Sequence, residues 1–394
     1  MCALLPSCEK DDSNFSDYDF SKYSLRSEQG DDDDEETITL PDTIALSIVW
    51  NGTQATVSGD PGDSVTIAHG TNSSDIIVTS TTQRFLQLTV SGTCNDGSLL
   101  VYGNRIWGLV MNGLDLTNAD GPAINNQCGK ALFVTVTDGT ENALADGSDY
   151  ADAPTSPTGA AIDQKGTFFS EGQLYFGGKG TLNVEANYKN AIASDDFIVI
   201  EEEGPNIDIS STGTNGIKVN DGMDILGGKL NIFVFSDGGR GIKNDARMTI
   251  SGGETTITTT GDCTIETLDG VADTTSCAGI KCDSLFTMTA GTLTITSTGD
   301  GGKGINCGQD VVFSGGTLNV TTFGSNDVSK PKGVKSDTGI YLSGGSFTVN
   351  VAKSWACDNG YRNDNEDEQA AKCVTVKGTP TTKELTKKAV TVIF

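Results

Sequence analysis

Lys218, Lys243, Lys281 and Lys335 each stand two residues after a glycine, and Asn306 takes the same place in one further segment. Acids follow at the fourth or fifth place after the same openings: Asp195 and Asp196, Asp221, Asp245, Asp283 and Asp337, with Ala191 replacing the glycine in the first. Two openings are preceded by a further acid and base, Asp237-Gly-Gly-Arg240 and Asp300-Gly-Gly-Lys303. Rows of carboxylates repel one another unless something cationic lies between them. Lysines of the same chain can do that, which gives a plain solvated charge ladder. Ca2+ does it better where carboxylates and turn carbonyls converge, because it takes 6–8 oxygen ligands. Neither an EF-hand loop nor a Gly-Gly-x-Gly-x-Asp array is present, so the calcium expectation rests on geometry and charge. Its candidate ligands are Asp195, Asp196, Asp221, Asp245 and Asp283.

These residues must be positioned by a repeat. Five segments open Gly216-Ile-Lys, Gly241-Ile-Lys, Gly279-Ile-Lys, Gly304-Ile-Asn and Gly333-Val-Lys, each followed by a small pair such as Gly227-Gly228 or Ala290-Gly291. Two of the four steps are 25 residues, and the others carry insertions. Apolar pairs alternate with period two: Met223/Ile225 and Leu230/Ile232 in one segment, Phe286/Met288 and Leu293/Ile295 in another. Such pairs are one face of a strand. Three apolar stripes per repeat imply three short strands, each stacked on its counterpart in the next coil. The expected fold is all-β: a single-stranded right-handed parallel β-helix, a solenoid of about 25 residues per coil, with irregular N- and C-terminal caps. Isoleucine after the opening glycine points inward, so the lysine and aspartate rows point outward together.

The organisation expected along the chain has four parts. Residues 1–36 form a signal remnant and a disordered acidic tether, and 37–120 the first, irregular coils. Residues 121–350 form the regular helix, interrupted by a polar insertion at 138–159. Residues 351–394 form a cap with an acidic loop, Asn363 to Glu368, bracketed by cysteines. Leu5-Pro6-Ser7-Cys8 resembles the end of a bacterial lipoprotein signal, which would make Cys8 the lipidated residue. Glu9-Lys10-Asp11-Asp12 resembles the acidic export signal of surface lipoproteins. An outer-membrane, surface-exposed location follows as an expectation, with the periplasm as the alternative.

Eight further cysteines suit an oxidising compartment. Equal repeat positions put Cys282 directly against Cys307, at the ~4.8 Å spacing of adjacent strands, within disulfide range. Cys263 and Cys277 flank an insertion, Cys357 and Cys373 bracket the acidic loop, and Cys94 and Cys128 remain. Free buried cysteines are the alternative.

Composition excludes several functions. With 53 acids against 26 bases and a net charge of −27, the chain is a poor ligand for nucleic acid. A single histidine, His69, leaves little room for imidazole catalysis or a transition-metal centre. No apolar run reaches the ~18 residues of a membrane-spanning helix, so any membrane attachment would be by a lipid anchor only.

Gly216-Ile-Lys…Gly-Gly-Lys-Leu-Asn-Ile232, Gly241-Ile-Lys-Asn-Asp…Ile-Ser-Gly-Gly253 and Thr298-Gly-Asp-Gly-Gly-Lys-Gly-Ile305 resemble the bacterial carbohydrate-binding domain-containing family, from about Ala45 onward. That resemblance implies a polysaccharide-lyase-like β-helix that binds calcium and polysaccharide, including acidic pectic sugars, without established catalysis. On this reading Lys218, Lys243, Lys281, Asp237 and Arg240 are candidate carbohydrate-binding residues, the lysines pairing with uronate groups. Trp107, Tyr188, Trp355 and Tyr361 are candidates for stacking on sugar rings. Two alternatives stand beside it: a calcium-dependent lyase using a lysine base for β-elimination, and a surface adhesin or spacer without a glycan ligand.

Overall fold

The computed structural model describes residues 42–394 apart from Asp269, Ser276, Asn326 and Val328; the tether and Cys8 lie outside the described residues. Each 25-residue segment folds into three strands. One coil is Ile217–Val219, Gly222–Ile225 and Lys229–Val234; the next is Arg240–Asn244, Met248–Ile250 and Glu254–Thr259. About 11 such turns stack into a β-solenoid of roughly 25 residues per coil, with 2% helix. The chain is therefore the expected parallel β-helix.

Register across the coils is strict. On the first face Ile192, Ile217, Ile242, Ile280, Ile305 and Val334 face one another in sequence. All six are at most 1% exposed, so each contributes roughly 1.5–3 kcal/mol of burial. The opening glycine is a packing requirement. A Cβ on Gly241 would lie 2.3 Å from Ile257 Cγ2 and 2.6 Å from the Gly279 carbonyl. In the small pair the reason is conformational: Gly253 turns the corner at φ +71°, where a side chain is strained.

The N-terminal strands belong to the solenoid. Thr43–Gly52 runs parallel to Phe85–Cys94, which pairs in turn with Trp107–Asn118, so the sheet is continuous with the regular coils. Irregularity comes from antiparallel pairings, Thr43–Gly52 with Ala55–Ser58 and Val65–His69 with Asp75–Ser80. At the other end Ala389–Ile393 lies antiparallel on Ser346–Val351 and covers the open strand edge.

One expectation about this cap is corrected. Asn363 to Asn365 are loop, but Glu366, Asp367 and Glu368 begin an α-helix, Glu366–Cys373, capped by the Asn365 side chain. Glu366, Asp367 and Glu368 fill its first turn, where carboxylates meet the positive end of the helix dipole.

The expected disulfides are not formed: Cys94, Cys128, Cys263, Cys277, Cys282, Cys307, Cys357 and Cys373 are all buried free thiols. Cys282 and Cys307 do face each other in adjacent strands, as the repeat required. Each reaches the turn of the preceding coil, the Cys282 thiol donating to the Ala246 carbonyl and Cys307 to that of Ser284. Ser194, Val219, Asn244 and Ser336 hold the same place in neighbouring coils, so a thiol substitutes there for other corner residues. Cys263 and Cys277 flank the hairpin of Thr264–Leu268 and Val271–Thr275. They are close enough that burial, then Cys263, raises the Cys277 thiol to about 12. Cys357 is likewise raised by burial and then by Cys373. Cys94 and Cys128 are not brought together: Cys94 is in register with Leu116, and the Cys128 thiol donates to Arg105.

Candidate functional site: a charged ladder on the first face

The lysine row exists in space. Ala193, Lys218, Lys243, Lys281, Asn306, Lys335 and Asp358 occupy one continuous register across seven strands. Parallel pairing sets the backbones ~4.8 Å apart along it. Beside it runs a second row in the turn that ends each strand. Ser170, Ser194, Val219, Asn244 and Cys282 are in register, so the residues following them, Glu171, Asp195, Asn220, Asp245 and Asp283, succeed one another from coil to coil.

The two rows interlock. Asn220 donates to Asp195 at 3.1 Å, and Lys218 donates to Asn220 Oδ1 at 2.5 Å. Lys218 also reaches Asp245 in the next coil, and Lys281 and Lys335 pair with Asp283 and Asp337. Lys243 is held more loosely, 3.9 Å from Asp245. Burial, partly offset by Asp245, depresses its ammonium below the usual lysine range, and Lys218, Arg240 and Lys281 add to that lowering. Lys243 thus stands between two further lysines of the row, Lys218 and Lys281.

The expected metal ligands do not form one cluster. Asp245 and Asp283 are paired with lysines, and Asp221 lies one residue beyond the row, its backbone N–H bonded to the Asp196 carbonyl. Among the described residues, the group of three carboxylates that does converge is Asp163, Glu171 and Asp195, with oxygens within 4.8 Å of one another. Glu171 and Asp195 come from the turn row. Asp163 lies past the 138–159 stretch, in the segment between strands Glu141–Asp146 and Gly166–Ser170, and is tied to the first face where Asn125 and Gln127 donate to its carbonyl. Burial, then the charges of Asp195 and Asp163, push the Glu171 carboxyl above its usual range. Lys165 places its ammonium between Asp163, at 2.5 Å, and Asp195. Burial opposes that charge, but the two bonds outweigh it and raise the lysine. The oxygen donors suit Ca2+ once Lys165 swings aside. Asp163 and Glu171 escaped the sequence reading because they lie in a degenerate repeat without the lysine signature.

The acids before the openings have another role. Asp237 accepts the Asp262 backbone N–H at 2.9 Å, Asp262 that of Asp300 at 2.7 Å, and Asp300 that of Ser325 at 2.7 Å. Asp237 therefore fastens one coil to the next. Arg240 stands at the start of its strand, in register with Ala278 and then Lys303. Of the candidate aromatics, Trp107 is a core residue that donates to Asn126, while Tyr188 is 38% exposed and packs against Tyr150.

Stacked coils in continuous parallel register define a parallel β-helix. The family model for carbohydrate-binding domain-containing proteins matches residues 72–243 and 233–328, and the chain belongs to that family. A carbohydrate-binding domain-containing protein of Acetivibrio thermocellus is 29% identical over 127 residues, which are 31% of this chain and 42% of the relative. The chain thus matches less than half the length of that relative. The solved structure of a polysaccharide lyase-like protein from C. thermocellum, a gadolinium derivative, superposes with a TM-score of 0.51 at 22% identity. That match covers 68% of this chain and 97% of the other, and establishes the common fold.

Proposed function

We propose that the chain is a non-catalytic, calcium-dependent module that binds an acidic, pectin-like polysaccharide at the cell surface, to which lipidation of Cys8 would anchor it. Membership of a carbohydrate-binding family supports glycan as the ligand. The observation that carries the acidic preference is Lys243, set among Lys218, Lys281 and Arg240 with its charge incompletely matched by Asp245. A uronate carboxylate on that row would gain charge-assisted hydrogen bonds. Asp163, Glu171 and Asp195, on the same face, would hold Ca2+ that bridges to further uronates. Among the described residues no helix is long and apolar enough to cross a membrane.

The same lowering of Lys243 favours a second reading, a lyase in which that lysine removes the uronate proton α to its carboxylate, a C=C bond forms, and the β glycosidic C–O bond breaks with the adjoining sugar leaving. One experiment separates the two. Polygalacturonate retention is measured with calcium and with a chelator, while the absorbance of unsaturated product is followed. Calcium-dependent retention without product supports binding alone. Accumulating product establishes the lyase, and retention indifferent to the chelator removes calcium from the account.

A further inference from the structure

The third face of the solenoid carries none of the lysine ladder. Its strands include Trp107–Asn118, Glu141–Asp146, Thr181–Ala186, Asn206–Ser211 and Lys229–Val234. Over these coils the outward side chains enclose a groove of about 450 Å³. Its depth has a sequence cause: Ala143 and Ala145 offer only methyl groups outward, between Asp115 and Thr117 on one side and Asn183 and Glu185 on the other. Further along, Asp208 faces Asn231, which donates to it at 2.6 Å, and Ser210 faces Phe233. Adjacent coils lie ~4.8 Å apart, close to the advance of one pyranose along an extended chain.

The groove differs chemically from the first face. No lysine or arginine lines it, and none of the ion pairs among the described residues includes Asp115, Glu185 or Asp208. Asp115 and Glu185 are open acceptors, Asp208 keeps its second oxygen beside the Asn231 bond, and the field of the three repels a uronate. Hydroxyl groups are the donors that satisfy them without bringing in negative charge. Two phenylalanines adjoin this polar floor, Phe233 at 40% and Phe235 at 46% exposure, with ring centres 4.7 Å apart. Exposed aromatic pairs beside hydrogen-bond acceptors offer an apolar face and polar edges together, as the two sides of a pyranose ring demand.

We infer that this groove is a second glycan site, which takes a neutral, extended, β-linked polysaccharide and needs no metal. It rests on the carbohydrate reading above but on different residues and opposite electrostatics. Carboxylates accept sugar hydroxyls along the groove, Asn183 and Asn231 supply amide groups, and Phe233 stacks at one end. With an acidic glycan on the first face and a neutral one on the third, one molecule bridges two kinds of wall polymer.

The test uses the full chain in affinity electrophoresis through mixed-linkage β-glucan and through galactomannan, with polygalacturonate run in parallel. Retardation by at least one neutral glycan is expected, unchanged by chelator. Phe233→Ala should weaken it about tenfold, and Glu185→Gln should weaken it too should the first variant fold poorly. Glu384→Gln, an exposed change on the strand Thr382–Leu385 at the far C-terminal end of the sheet, serves as the control that leaves it intact. Absence of retardation by both neutral glycans, loss on chelation, or indifference to both groove variants overturns the inference. None of these results depends on whether polygalacturonate binds, so the two readings fail separately.

Discussion

Lys218 reaches one coil onward to Asp245, its Nζ 2.5 Å from Oδ2, while Lys243 in Asp245's own strand remains 3.9 Å from the same carboxylate. Asp245 is thereby committed to its neighbour, and the lysine beside it is left with the surplus charge. Lys243→Ala should therefore weaken polygalacturonate binding more than Lys335→Ala, whose lysine is already paired with Asp337 across 2.5 Å. The expected loss is about tenfold, roughly 1.4 kcal/mol, for removing one charge-assisted contact. Isothermal titration at low and moderate salt measures it. Equal effects from the two lysines would return the row to a passive charge ladder.

The aspartates before the openings should respond differently. Asp262 accepts the Asp300 N–H and donates its own to Asp237, so it links three successive coils. Asp262→Ala should lower unfolding stability by about 1–2 kcal/mol, the cost of a charged acceptor withdrawn from a backbone donor. The same loss should appear with and without calcium. A loss seen only in calcium would make these acids ligands instead of fasteners.

The period of the repeat made the first face legible in detail. Because every coil repeats Gly-Ile-Lys, Lys218, Lys243 and Lys281 could be placed in one row, and Cys282 against Cys307, from spacing alone. The three-carboxylate group was hidden for the opposite reason. Asp163 lies in the irregular segment before strand Gly166–Ser170, and Glu171 occupies the turn after that strand, which lacks the lysine altogether. The groove on the third face was hidden too, since Asp115, Ala143, Asn183 and Asp208 share a register but no residue type. Periodicity reports what every coil does; recognition uses what single coils do differently. The composition of 363–368 suits a loop throughout, whereas the Asn365 side chain caps a helix that begins at Glu366.

The cysteines give a discriminating case. Cys282 and Cys307 are free but in strand register, so mild oxidation should join them without moving the backbone. Peptide mapping should find that bridge and no bridge between Cys94 and Cys128. Closing a 25-residue coil constrains the unfolded chain and should add about 3 kcal/mol to stability. A mapped Cys94–Cys128 bridge would contradict the geometry of the first coils.

Lys303 supplies the pH dependence. It is 9% exposed, and burial depresses its ammonium to about 8, with Lys335 and Arg240 adding to the lowering that the nearby Cys277 and Cys263 partly offset. In the unfolded chain the same group titrates near 10.5. Below about pH 8 the folded protein must keep a charge in a buried position, which costs stability. Between about 8 and 10.5 the folded state has released that proton while the unfolded state still holds it. The unfolded state then binds more protons, so the contribution of this residue to stability rises with pH. Lys303→Met removes the charge and keeps most of the stem. It should stabilise the protein at pH 7 by roughly 3 kcal/mol, the worth of the difference between the two pKa values. That gain should shrink steadily toward pH 10.5. Denaturant unfolding of both proteins across this range tests it, because other titrating groups cancel in the difference. A gain that stays constant with pH would mean that the substitution acts through packing and that Lys303 is not held near neutrality by its surroundings.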